Sequence, residues 1–400
     1  MISRENYGNE HIQELQAGRR TDIKIIERNL FAFGLLEALA TVGLDFTFKG
    51  GTSLMLLLKK PMRLSTDIDI IVKPGTDVDS YLKKAYEIFP FKSGGEQYRK
   101  KRGNIKKRHF KFDYDSPLDN GEPFYILLDI LFEENKYDTL TSREIKTEML
   151  ITEGENLSVI IPSIDCILAD KMTAFAPRTT GIRLNDDKDL EIIKQFYDVC
   201  TLFDEFNDYG CVKRTYFPIS ETEIRYRELD ITPRDALNDT INAAMCIGSR
   251  GKVSEEDFQT YVRACRDIRQ HIYEPGFSTE KAAVMAPKVI YLAACLLTDQ
   301  AFQRVTDPGD YLYERLAHYA GLAVHECGVA QSVPEIIQRL GSDAILIQAL
   351  GAPAGGFMTV VVDRNLPRHI RESDGKFPGR IDAAGEYAGE GVGPVHTRLP

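Results

Sequence analysis

Lys49-Gly50-Gly51-Thr52-Ser53-Leu54, followed by Arg63-Leu64-Ser65-Thr66-Asp67-Ile68-Asp69-Ile70, is the stretch on which the fold turns. Phe46-Thr47-Phe48 reads as a short strand running into the glycine pair, and Thr52 to Lys59 as a helix that starts directly after it. Two glycines let the backbone approach a ligand closely. A helix beginning there presents free N–H groups and the positive end of its dipole to a phosphate. Thr52 and Ser53 add hydroxyl donors at the same place. Asp67 to Val72 alternates into a second strand, closed by Pro74-Gly75, so Asp67 and Asp69 face the same side. Carboxylates held that close repel each other unless a cation sits between them. Mg²⁺ favours carboxylate oxygens together with substrate phosphates, where it clamps a triphosphate and helps generate an attacking alkoxide. Each half of the pattern has a bland reading, a simple turn and a solvated strand end; their combination in this order argues for a site.

Outward from this core, Ile26, Leu30, Phe33, Leu36 and Ala40 recur at helical spacing and predict a helix over Ile23 to Val42, ended by Gly43. A helix is expected from Val78 to Ile88, and the two strands of a long basic hairpin between Tyr98 and Tyr114. Phe124 to Phe132 is a strongly β-prone apolar run and reads as a buried strand, with another at Ser158 to Ile161. Asp129 stands alone in the first of these runs, and a lone buried aspartate is costly unless it is paired or binds metal. Beside Asp67 and Asp69 it would complete a three-carboxylate site for one or two ions.

The chain changes character after Pro162. Ser163 caps a helix running to about Phe175, and a second spans Leu190 to Phe206. Beyond Tyr216 the patterns are helical, with caps at Thr232, Ser254 and Ser278. From Ala301 onward Lys376 is the one lysine, and after Gly351 the chain is rich in glycine and proline. That segment reads as a loosely ordered tail. The seven cysteines contain no CxxC pair and read as buried free thiols in a reducing compartment, without zinc. Met1 to Asp22 has no secretory pattern, and the apolar window Ala282 to Leu297 holds Pro287 and Lys288, so it reads as a core helix; a cytoplasmic protein without a membrane partner is expected.

Net charge is −10, which excludes a uniformly basic nucleic-acid binder but not a local basic surface. Such a surface is present at Lys92, Arg99, Lys100, Lys101, Arg102, Lys106, Lys107, Arg108 and Lys111, with Glu96 the one acid among them and Phe91, Tyr98, Phe110 and Phe112 alongside. Gly103-Asn104 marks the hairpin tip. The run suggests a phosphate-backbone surface, with Arg99 to Arg102 and Lys106 to Arg108 as RNA-binding residues; the alternative is an edge protected from aggregation by charge.

The glycine pair, Asp-x-Asp and distant strand aspartate resemble the polymerase-β nucleotidyltransferase superfamily. Lys-Gly-Gly-Thr-Ser-Leu with Arg-x-Ser-x-Asp-x-Asp is similar to the AbiEii toxin family, which includes the MenT toxins. Ala169-Asp170-Lys171-Met172-Thr173-Ala174-Phe175 and Ile193-Lys194-Gln195-Phe196-Tyr197-Asp198-Val199 resemble that family's later motif, although Lys194-Gln195 departs from the commoner basic–Asp pair. The resemblance covers roughly residues 25 to 205. It implies that Gly50, Gly51, Thr52 and Ser53, with Lys49, Arg63 and Lys194, hold the NTP. Asp67 and Asp69 would bind Mg²⁺, and Asp129 would complete the metal site and orient or deprotonate the acceptor. Lys171 would neutralise triphosphate charge and Asp198 would position it or contact the nucleotide. From the residues alone, Arg63 serves equally as a surface salt-bridge partner, and Lys171 as an ordinary helix-surface lysine.

The fold expected is an α/β (α+β) nucleotidyltransferase domain with a mixed sheet followed by an α-helical C-terminal domain. Its divisions are a core at 1–160, helices completing the active site at 161–215, a helical domain at 216–340 and a tail at 341–400. The resemblance implies a toxin that transfers NMP to an RNA, the tRNA 3′ end, and an AbiEi-like antitoxin as partner. A transferase acting on a small molecule or a protein hydroxyl, and a catalytically silent binding module, are the alternatives.

Overall fold

The structure, a computed structural model, describes residues 1–98, 106–119, 121–184, 186–273 and 276–304, together with the backbone of short strands between 346 and 396. Contacts gather these residues into two compact units. The first takes Met1–Lys171, Asp204–Asp230 and Asp267–Phe277; the second takes Met172–Phe203, Ile231–Arg266 and Ser278–Pro400. The units therefore interleave along the chain, whereas the composition change suggested successive blocks.

In the first unit, among the described residues, seven strands form one mixed sheet. They are β1 (Thr47–Lys49), β2 (Ile68–Val72), β3 (Ser93–Glu96), β4 (Lys107–Asp115), β5 (Pro123–Phe132), β6 (Leu140–Glu144) and β7 (Ser158–Pro162). Their spatial order is β3-β4-β5-β2-β1-β7-β6. β5 lies parallel to β2 and antiparallel to β4, while β1 is antiparallel to β2 and parallel to β7.

Ile126, Leu128 and Ile130 of β5 are fully buried, each contributing on the order of 1.5–3 kcal/mol. Leu127 and Asp129 fall on the opposite, more open face. The aspartate thus stands on the less covered face, although the strand around it is apolar. Against the sheet packs α2 (Ile23–Thr41), preceded by α1 (Asn9–Gln16). α2 is buried on most of its circumference, from Ile25 to Leu39, as its dense apolar sequence requires. Its N-terminus is capped by the Asp22 carboxylate, which accepts from the Lys24 N–H. α3 (Gly50–Leu57) leaves β1 at once, and α4 (Val78–Ala85) follows β2.

Two details differ from the sequence-based expectation. The basic hairpin takes its first strand from Ser93–Glu96, ahead of Tyr98, and its tip at Gly103-Asn104 lies outside the described residues. Ser-Gly-Gly-Glu has little strand propensity of its own; pairing with β4 makes it a strand, and the Tyr86 ring covers the space beside Gly94. β6, Leu-Thr-Ser-Arg-Glu, is a largely exposed edge strand with no apolar alternation to announce it.

Past the sheet, α5 (Ile164–Ala174) starts where the Ser163 hydroxyl accepts from the Cys166 N–H. α6 (Asp189–Glu205) belongs to the second unit and α7 (Tyr209–Tyr226) to the first. The second unit continues with α8 (Pro233–Gly248), α9 (Glu255–Asp267) and α10 (Thr279–Thr298), α8 packing on α10. α8 opens with a reciprocal Thr232/Asp235 capping box and Ser278 caps α10. α10 is long and apolar enough to cross a membrane by length and composition alone, and 67% of its apolar window is buried inside the protein, as a core helix requires. Beyond residue 345 the described backbone adds the antiparallel strands β8 (Leu346–Leu350) and β9 (Phe357–Val361), and a sheet of β10 (Gly379–Ile381), β11 (Glu386–Gly389) and β12 (Val392–His396). The six cysteines among the described residues are buried free thiols; Cys327 lies outside them.

Candidate active site

Strand register assembles the site. Lys49 of β1 lies opposite Asp69 of β2, Asp69 beside Asp129 of β5, and Asp129 opposite His109 of β4. Partners across a sheet share a face and neighbouring strands run about 4.8 Å apart, so these side chains form one row across four strands. Asp67, just ahead of β2, lies near enough for its charge to act on Asp69. The acids of the row repel. Burial first, and then the charges of Asp129 and Asp67, raise the Asp69 carboxyl to about 6 against the opposing charges of Lys107 and Lys49.

The glycine pair packs against this row. Gly50 adopts φ +82°, and a Cβ there would come within 2.2 Å of the Asp69 Oδ2. Gly51 has the Arg63 guanidinium and the Ser65 hydroxyl where its own Cβ would be. Arg63 is 6% exposed, which removes the surface salt bridge as an alternative role. It is also bridged to Ile272, while the Leu64 N–H donates to His271. The hydroxyls named by the sequence turn inward: Thr52 donates to the Asp67 carbonyl at 2.7 Å and Ser53 to the Gly50 carbonyl at 2.8 Å. Thr52 thereby ties the start of α3 to the segment carrying the aspartates. No side chain caps α3, so its first N–H groups are available to an anion.

Several partners were not legible from motif spacing. Arg28 of α2 lies 3.5 Å from the Asp67 carboxylate and over the Phe124 ring. Neighbouring Asn29 donates to the Ser65 carbonyl at 2.6 Å. The Nδ1 of His109 is 2.7 Å from the Asp129 Oδ1. Lys49, read as a nucleotide contact, holds Asp170 of α5 at 3.0 Å, and the Tyr137 hydroxyl donates to the same carboxylate. Burial works against the Lys49 ammonium, but the Asp170 charge outweighs it and holds the lysine protonated well above its ordinary range. Asp170 is likewise held ionised against its burial, by Lys49 and then by adjacent Lys171.

This pair makes a measurable prediction. Lys49→Met is expected to cost about 3 kcal/mol, because it strands a largely buried carboxylate, and Asp170→Asn in the same chain should recover much of it. Thermal melts of the single and double variants check this; an unchanged melt with a raised NTP KM would instead make Lys49 a pure substrate contact.

Lys171, 6% exposed, closes the first unit, whereas Asp198, 1% exposed, and Lys194 stand on α6 in the second and are not members of the row. On the basic hairpin, Lys106 and Lys107 are exposed. Arg108 bonds to Asp79 of α4 and Glu96 of β3, holding both carboxyls below their ordinary range. Lys92 pairs with Asp115, and Lys111 lies 3.8 Å from the centre of the Tyr125 ring. Arg99, Lys100, Lys101 and Arg102 lie outside the described residues. Among the described residues no three acids, histidines or cysteines converge as a ready-made metal cage. Asp67 faces Arg28 and Asp129 faces His109; with Asp69 they would offer a set of carboxylate oxygens. The mutual repulsion within that set suits a hard divalent ion whose remaining ligands come from phosphates and water.

Comparison with known proteins bears on the chemistry. No curated protein matches the chain. Among solved structures, an antigenic nucleotidyltransferase-like protein from Paracoccidioides brasiliensis overlaps 50% of this chain and 93% of its own, with 15% identity and a TM-score of 0.32, too slight a likeness to carry weight. The family model for the nucleotidyl transferase AbiEii toxin of type IV toxin–antitoxin systems matches residues 34–277, most of the chain and all of the row just described. The chain belongs to the AbiEii family of nucleotidyltransferase toxins.

Proposed function

We propose that this toxin transfers a nucleoside monophosphate from an NTP to an RNA, with the tRNA 3′ end as acceptor, and so blocks translation. The family implies an antitoxin partner, which we take to be a separate AbiEi-like protein. Because NTPs and tRNA are cytoplasmic, so is the reaction. The observation that carries the reading is the row Lys49, Asp69, Asp129 and His109, which begins beside an uncapped helix N-terminus and ends on the strand of the basic hairpin.

The N–H groups at the start of α3 receive the triphosphate, Gly50 and Gly51 allowing close approach and Arg63 adding charge. Asp67, Asp69 and Asp129 would hold Mg²⁺, which when bound neutralises phosphate charge and favours an ionised acceptor hydroxyl. Asp129 orients the 3′-hydroxyl and accepts its proton as the oxygen attacks the α-phosphorus. The new O–P bond forms as the bond to the bridging α,β-oxygen breaks, and pyrophosphate leaves with its charge met by Lys171. Lys106 and Lys107, with Arg99 to Arg102, take the RNA backbone; Arg108, committed to Asp79 and Glu96, holds the strand in place.

Incubation with total tRNA, Mg²⁺ and each α-labelled NTP in turn, beside an Asp67→Ala/Asp69→Ala control, tests this. Label on tRNA that the control lacks is expected. Label on protein or on small molecules instead would overturn the RNA acceptor. Lys106→Ala/Lys107→Ala is expected to make the salt dependence of tRNA binding shallower by about one to two in the log–log slope, one contact being lost per lysine. An unchanged slope would take these lysines out of the RNA surface.

A further inference from the structure

The geometry points to His109 as a positioning residue that fixes the Asp129 carboxylate from the basic strand. The inference rests on the role given to Asp129 above. An ionised carboxylate only accepts hydrogen bonds, so in the 2.7 Å contact the Nδ1 of His109 carries the proton and donates to Oδ1. The Oδ1 oxygen is thereby engaged by the ring. A donor so placed restrains this carboxylate from turning. The carboxylate stands beside Asp69, whose negative charge repels it.

The histidine is itself well anchored. Its neighbour Arg108 projects to the other face of β4, where Asp79 and Glu96 grip the guanidinium with hydrogen bonds of 2.8–2.9 Å. His109 and Asp129 are directly opposed in the β4–β5 ladder, so main-chain pairing brings the ring to the carboxylate. Both side chains are mostly covered, at 18% and 26% exposure, which protects the bond from competing water. The strand that leads out of the basic hairpin thus also sets the orientation of the aspartate at the end of the row. Outer-shell donors of this kind are worth about ten- to hundredfold in metal affinity or activity.

The test compares His109→Leu, which removes the donor, with His109→Asn, whose amide places an N–H near the position of Nδ1. Transfer from α-labelled NTP to tRNA is followed for kcat and KM, and Mn²⁺ binding to nucleotide-free protein is followed by electron paramagnetic resonance. For His109→Leu we expect kcat to fall about ten- to hundredfold with the NTP KM unchanged, and Mn²⁺ binding to weaken about tenfold. His109→Asn should recover most of both losses. Full activity and Mn²⁺ binding in His109→Leu overturns the inference. So does equal loss in both variants when both melt at the wild-type temperature. Should His109→Leu fail to fold, His109→Asn decides alone: near-wild-type Mn²⁺ binding supports the role and a loss of about tenfold ends it. If the wild-type protein labels no tRNA, the acceptor reading fails, while the Mn²⁺ comparison still decides the role of His109.

Discussion

Asp69→Asn is expected to lower nucleotidyl transfer by on the order of 10³-fold while leaving the protein folded. The reason is its place in the row. Asp69 lies next to Asp129 on β5, opposite Lys49 on β1, and against the backbone of Gly50. No other described carboxylate holds all three positions. The amide keeps the shape that packs on Gly50 but gives up the charge that would bind Mg²⁺ between aspartate and phosphate. Stability should move the other way. Burial and the charges of Asp129 and Asp67 raise the Asp69 carboxyl to about 6, so its ionised form is held in the fold against repulsion. Neutralising it relieves that repulsion, and in chelator-treated protein the variant should melt at or above the wild-type temperature. Added Mg²⁺ should raise the wild-type melting temperature and leave the variant's unchanged, because an ion bound only by the folded state stabilises it by mass action. An active variant would sink the assignment; a variant that melts much earlier would mean that Asp69 holds the fold together through contacts of its own.

How much of this was legible beforehand depends on which residues are asked about. The mixed sheet followed by helices is written in local pattern: an apolar 3.6-residue period in α2, alternation in β2 and β5, and hydroxyl or carboxylate caps at Ser163, Thr232 and Ser278. Asp129 drew attention as one acid in an apolar run, and the burial pattern of β5 explains how it is tolerated, on the open face. Register, by contrast, is a long-range property. Nothing within the local sequence says that His109 will oppose Asp129 or that Lys49 will oppose Asp69. Composition grouped Arg108 with the basic run, whereas the fold engages it with Asp79, which lies far back in the chain. The same limit hid the interleaving of the units. Asp204–Asp230 and Asp267–Phe277 return to the first unit through contacts that no change in composition marks.

Gly50→Ala should be nearly as damaging to activity as loss of Asp69, and for a geometric reason. At φ +82° a side chain is strained whatever space surrounds it, at a cost of about 1–2 kcal/mol. Here there is no space. The added methyl would lie 2.2 Å from the Asp69 Oδ2, 3.0 Å from its Cγ and 3.1 Å from its Cβ. The Cβ of Asp69 is anchored to a strand paired on both sides, so the clash cannot be met by turning the end of a side chain alone. Either the carboxylate leaves the row, or the first turn of α3 withdraws and its N–H groups leave the phosphate position. Both outcomes cost activity, and we expect a loss of at least about a hundredfold, comparable to misplacing a reacting group by 1 Å. Gly51→Ala is the control. Its methyl would meet the Arg63 Nη2 at 2.7 Å and the Ser65 Oγ at 2.8 Å, both at the ends of side chains. The end of a flexible side chain turns aside more cheaply than a Cβ anchored to a paired strand, so Gly51→Ala should retain considerably more activity and melt closer to wild type. Transfer rates and melting temperatures of the two variants, measured side by side, separate the cases. Equal activity in the two would mean that the approach of Asp69 to Gly50 has no bearing on the reaction. A larger loss in Gly51→Ala would move the critical contact from Asp69 to Arg63.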